Sequence, residues 1–209
     1  VLDNTYSLQH NVGCTCSVCS NSDEPTTEDP GESAPPSTNA TLGVLADYLT
    51  DGYWNDGGNS TRKFNVSNTG YYANNGILTF NTTGSYYDYN GIASSSRRNS
   101  ISEAFKLFEA TLGIDFQQTY GTYADLQFID SYSGAFAYTP SIANGSTNYS
   151  VVNVASSWNG YSSGYDTYTH ETILHEIGHA LGLGHQGNYN STANYANANF
   201  RNDCTNYSM

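Results

Sequence analysis

The sequence predicts an α+β fold, a mixed sheet with a long helix on either side of its active face. Residues 95–112 place Ile101, Ala104, Phe105, Phe108 and Leu112 along one side of a 3.6-residue helix. Five short runs of strand character lie at 77–80, 114–119, 126–130, 135–138 and 151–154. A second apolar stripe at helical spacing follows them, made of Ile173, Leu174, Ile177, Ala180 and Leu181. The order helix, strands, helix is the pattern of an α+β domain.

A chain of 209 residues is long enough for one domain with a proper core, divisible into two lobes. Six Lys and Arg face 19 Asp and Glu, a formal net charge of −13. Such a surface repels phosphate backbones, which argues against a nucleic-acid partner. No apolar run approaches the ~20 residues that cross a bilayer. Val1-Leu2-Asp3 lacks the charged start and apolar stretch of a signal peptide, so the expectation is a mature, processed, soluble protein.

Taken in order, residues 1–40 form an acidic, proline- and cysteine-containing extension, with Asp23-Glu24-Pro25, Asp29-Pro30-Gly31 and Pro35-Pro36-Ser37. Cys14, Cys16 and Cys19 crowd this arm and Cys204 lies near the other end, a usage that suits an oxidising compartment. Four cysteines allow three pairings. One local bridge and one long bridge to Cys204 is the favoured arrangement. A second metal site at Cys14, Cys16, Cys19 and His10, or a cysteine thiolate of a retained pro-segment, are the alternatives.

A short helix is expected at 42–49, stopped by Asp51-Gly52, and residues 54–75 read as a glycine-rich loop. The strand at 77–80 comes next. The helix at 95–112 should end at Gly113 and pack across the back of the sheet. The runs at 114–119 and 126–130 alternate, whereas 151–154 looks fully buried. Triplets of the form Asn-x-Ser/Thr, at Asn59, Asn65 and Asn81 among others, follow from abundant Asn, Ser and Thr.

The second helix carries the chemistry: His175, Glu176, His179, Gly182 and His185 read H-E-x-x-H-x-x-G-x-x-H. Residues i and i+4 stand about 40° apart around a helix, so His175 and His179 can aim at one point. Glu176 is turned about 100° from His175, beside that point, where a carboxylate can take a proton from water. Gly182 suits the helix end and lets His185 come back to supply a third nitrogen. Three imidazoles and an open position make a catalytic zinc site, with Glu176 as general base. His170, five residues before His175, is turned about 140° away and should miss the metal. Thr169 is the expected N-cap, and Asp125, Asp130, Asp166 and Glu171 are candidate acceptors for the ligands' second N–H groups.

With Gly187-Asn188-Tyr189-Asn190 after it, this motif resembles the metzincins and, within them, the serralysins, secreted bacterial zinc endopeptidases. Gly76-Ile77-Leu78-Thr79-Phe80 is similar to that family's first strand, and Ala135, Phe136, Ala137 and Tyr138 to its substrate-side edge strand. Gln186 departs from the proline usual there. The resemblance implies a zincin-like metzincin domain with its upper lobe over 41–186 and the start of a lower lobe over 187–209. It implies a Met-turn reached at or just after Met209, and a C-terminal remainder or second chain completing it. Calcium is implied only through the family's β-roll, whose G-G-x-G-x-D repeats are not in this sequence. The expected function is a secreted, extracellular zinc endopeptidase acting on extended peptides or proteins, held by main-chain hydrogen bonds at 135–138. The alternative is a catalytically silent zinc-containing binding or adhesion module.

Overall fold

The computed structural model describes residues 42–66, 75–84, 91–121, 123–140, 142–158 and 168–185. The extension, all four cysteines, His10, Asp166 and everything from Gln186 to Met209 lie outside these residues, and the expectations placed on them are neither met nor overturned.

Five strands form one mixed sheet: β2 (Ile77–Asn81), β3 (Asp115–Thr119), β4 (Leu126–Ile129), β5 (Ala135–Tyr138) and β7 (Ser150–Val154), in the order β3-β2-β4-β7-β5. The pairs β2–β3, β2–β4 and β4–β7 are parallel. Only β5 runs antiparallel, on β7, with Ala135 opposite Val154 and Tyr138 opposite Val151. A two-residue parallel pair, β1 (Lys63–Phe64) with β6 (Ser146–Thr147), lies outside this sheet. No described helix is long and apolar enough to cross a membrane.

Helix α3 (Ser95–Leu112) makes the parallel crossover from β2 to β3, and local chemistry sets both its ends. Ser94 stays extended and its hydroxyl accepts the Arg97 N–H. Gly113 turns left-handed at φ 67° and its N–H returns to the Glu109 carbonyl. The Glu109 carboxylate then accepts the Phe116 N–H at 2.9 Å, which ties the helix to β3. Phe105 projects from α3 onto the sheet, its ring 4.2 Å from that of Phe80, 4.8 Å from Phe116 and 5.6 Å from Phe128. Leu78, Leu126, Val152, Ile173 and Ile177 close the same core.

Helix α4 (Tyr168–Leu181) packs against α3, β5 and β7, so the two long helices lie next to each other. Between them the Ser100 hydroxyl meets His170 Nδ1 at 2.7 Å. His170 is buried, and its desolvation pulls its pKa below the usual value, with Glu103 and Glu171 acting weakly the other way. A lowered folded pKa means that the unfolded chain takes the proton first. The stability held by neutral His170 is therefore complete above about pH 6.5 and is lost as the pH falls below it. In urea titrations at pH 5.5 and 7.5, His170→Asn should lose less stability on acidification than the parent. An equal loss in both would remove His170 as the source.

Some local expectations need correction. The helical path does not stop at Asp51-Gly52. It passes from α1 (Leu42–Asp47) through a π turn (Tyr48–Gly52) into α2 (Tyr53–Asp56), so Trp54 is helical. Gly52 keeps right-handed angles, φ −60° and ψ −46°. It is small because the Tyr48 ring covers it, leaving a Cβ only 3.0 Å from Tyr48 Cε2. Leu112 is 49% exposed in the last turn of α3, outside the apolar face. All four β4 residues are buried, which requires cover on both faces of the strand, so the alternation expected at 126–130 is absent. Thr169 is already inside α4. Asn81 is buried and its amide donates to the Gly84 and Gly121 carbonyls, which closes it to glycan attachment.

Candidate metal centre

The inner face of α4 is fixed by Ile173, Ile177 and Ala180 in the core. Its adjoining face presents His175 and His179, one turn apart and both buried. The helix ends in a Schellman turn, in which the Gly182 N–H donates to the His179 carbonyl and the Leu183 N–H to the Gly178 carbonyl. Gly182 takes φ 115°, and a Cβ there would stand 2.9 Å from the Arg62 carbonyl carbon. Only glycine allows this turn so close to the chain entering β1. The reversal brings His185, 1% exposed, back over the helix.

The three Nε2 atoms converge: His179 lies 2.9 Å from His175 and 3.0 Å from His185, and His185 lies 3.4 Å from His175. Nitrogens bound to one tetrahedral zinc at about 2.0–2.1 Å would stand roughly 3.3 Å apart, close to these spacings. His179 Nδ1 is 2.8 Å from the Leu183 carbonyl. A carbonyl only accepts, so Nδ1 carries the proton and the Nε2 of the neutral ring keeps its lone pair toward the cluster. Among the described residues these three are the one His, Cys, Asp or Glu group close enough to hold a metal ion. The donor set fits zinc.

Glu176 is fully buried, next to His175 on α4. His170 stays outside the cluster at the α3 contact. Of the carboxylates considered as acceptors for the ligand rings, two are engaged or placed elsewhere. Asp125 accepts the Thr79 N–H and hydroxyl, each at 2.7 Å, and Glu171 is exposed. Ala135, Phe136, Ala137 and Tyr138 occupy β5, which ends the sheet and packs against α4.

Three residues that the sequence reading passed over touch the bend carrying His185. The Trp54 indole N–H donates to the Gly182 carbonyl at 2.8 Å. The Tyr53 ring stands edge-to-face with the His185 ring, centroids 5.3 Å apart. The Arg62 guanidinium lies 3.9 Å over the Trp54 ring, its pKa lowered by burial and raised in part by Tyr53. Tyr53 falls eleven residues after Leu42 and four after Leu49, on the stripe already seen in the short helix. Continuing that stripe past Gly52 is the signal that could have found it.

The model of the astacin peptidase family matches residues 74–207, more than half of the chain. The chain belongs to the astacin peptidase family. It is thus a metzincin metallopeptidase by kinship, as the extended histidine motif implied. Its curated relatives include Metallopeptidase AprA of Pseudomonas marginalis, 33% identical over 110 residues, which is 48% of this chain and 21% of that protein. Serralysin A of Dickeya chrysanthemi is 39% identical over 85 residues, 39% of this chain and 16% of its own length. The astacin-family chain therefore spans about a fifth of the length of the curated relatives it matches. The serralysin-like part of the expectation has its support in these relatives.

Proposed function

We propose that this chain is the zinc-binding, catalytic part of a secreted endopeptidase that hydrolyses peptide bonds in extended peptides or proteins. The observation that carries the reading is the convergence of three buried Nε2 atoms, with the tautomer of His179 set by the Leu183 carbonyl. His175, His179 and His185 would hold the metal. When bound there, zinc supplies Lewis acidity, polarising a carbonyl oxygen and bringing the pKa of a water near 7. Glu176 takes a proton from the attacking water on its carboxylate and returns it to the departing amine. Among the described residues β5 ends the sheet, and a substrate lies along Ala135, Phe136, Ala137 and Tyr138 as an added strand. A C-terminal remainder or second chain that completes the Met-turn and carries a calcium-binding β-roll belongs to the same proposal, through the serralysin resemblance alone. Extracellular location follows from the resemblance of the histidine motif to the secreted serralysins.

Casein digestion tests the reading. A zinc chelator should stop it and re-added zinc should restore it. Ala137→Pro, which removes one N–H and constrains φ on β5, should depress turnover while zinc stays bound. Digestion untouched by chelation would overturn the metal mechanism. Parent-like turnover in the proline variant would overturn the edge-strand role alone.

A further inference from the structure

The bend from Gly182 to His185 is gripped by a segment more than a hundred residues upstream, before the astacin match begins at residue 74. Three contacts meet on four consecutive residues. The Gly184 N–H donates to the Leu49 carbonyl at 2.7 Å. The Gly182 carbonyl accepts the Trp54 indole N–H at 2.8 Å, in a buried position. Gly184 lies so close under the Tyr53 ring that a Cβ there would be 2.6 Å from Tyr53 Cβ. Tyr53 and Trp54 also brace each other, edge to face at 5.0 Å, and Arg62 covers the outer side of the indole. The Tyr53 hydroxyl stands 3.4 Å from His185 Nδ1.

Geometry gives this clasp a consequence. His185 comes from outside α4, so no helix fixes its ring, unlike His175 and His179. Its direction depends on the bend, and the bend on what holds Gly182 and Gly184. When His185 Nε2 faces the cluster as a ligand, Nδ1 bears the proton, and the Tyr53 oxygen is an acceptor within reach. We propose that Tyr53 and Trp54 are positioning residues for the third metal ligand, so that the helical segment 48–56 sets how tightly the site holds a divalent ion. This rests on the metal reading above.

Zinc affinity measured by competition with a chromophoric chelator, and the visible absorption of the cobalt-loaded protein, test it. Trp54→Phe keeps an aromatic ring but removes the donor to Gly182, and should weaken zinc binding roughly tenfold or more. Tyr53→Phe keeps the ring over Gly184 and removes only the hydroxyl. Its zinc affinity should fall by a smaller factor, its cobalt bands should shift, and its metal-free melting temperature should stay close to the parent's. A merely structural role would lower the melting temperature and leave the cobalt bands unmoved. Parent-like zinc affinity and cobalt spectrum in both variants would overturn the clasp and leave the metal centre standing. A parent protein that binds neither ion would overturn the metal reading and the clasp with it.

Discussion

Glu176→Gln is expected to slow casein hydrolysis by roughly 10²–10⁴-fold while the protein keeps its zinc. The substitution preserves volume and an acceptor oxygen in a position with no exposure, so packing changes little. What it removes is the basic oxygen that the proposed mechanism uses to take a proton. Glu176 adjoins His175 in sequence yet does not belong to the three-nitrogen cluster, so losing its charge should not release the ion. Metal analysis of purified variant and parent, alongside their rates, separates the outcomes. Bound zinc with a collapsed rate supports the general base. Bound zinc with the parent's rate would remove Glu176 from the chemistry, and loss of zinc together with rate would make it a support for the site instead.

Much of the fold was legible where the determining chemistry is local. Helix α3 has the limits its sequence implies because Ser94 caps its start and Gly113 ends it within the chain's own next turn. The three histidines were legible for the same reason: a four-residue spacing fixes two of them, and a glycine allows the reversal that brings the third. Gly52 shows the limit of such reading. A glycine beside an aspartate looks like a helix stop, yet this one is helical and small to admit the Tyr48 ring. Contacts between distant segments had no local signature. Trp54 and Gly182 are 128 positions apart, and no periodicity links an indole N–H to the carbonyl it finds. The β1–β6 pair is two residues long on each side, too short to leave a pattern. The burial of all four β4 residues likewise depends on what covers the two faces of the sheet, which the strand's own residues do not encode.

Gly182→Ala should be strongly damaging beside the histidine cluster, and Gly113→Ala is its natural comparison. Both glycines close a long helix with positive φ. At Gly113, φ is 67° and a Cβ would meet nothing within 4 Å. Alanine there carries only the left-handed cost of about 1–2 kcal/mol. At Gly182, φ is 115°, outside the region that alanine tolerates even in left-handed turns, and the added carbon would run into the Arg62 backbone. That backbone cannot simply step aside. Lys63, next to it, donates its N–H to the Gly145 carbonyl at 3.0 Å, and the Arg62 side chain is stacked on Trp54. The bend must therefore open, costing roughly 3 kcal/mol or more in the metal-free protein. His185 would move with it, so zinc affinity should fall along with stability. Urea midpoints and zinc titrations on both variants decide the matter. Equal stability losses at the two glycines would mean that the close approach to Arg62 does not shape the turn carrying His185.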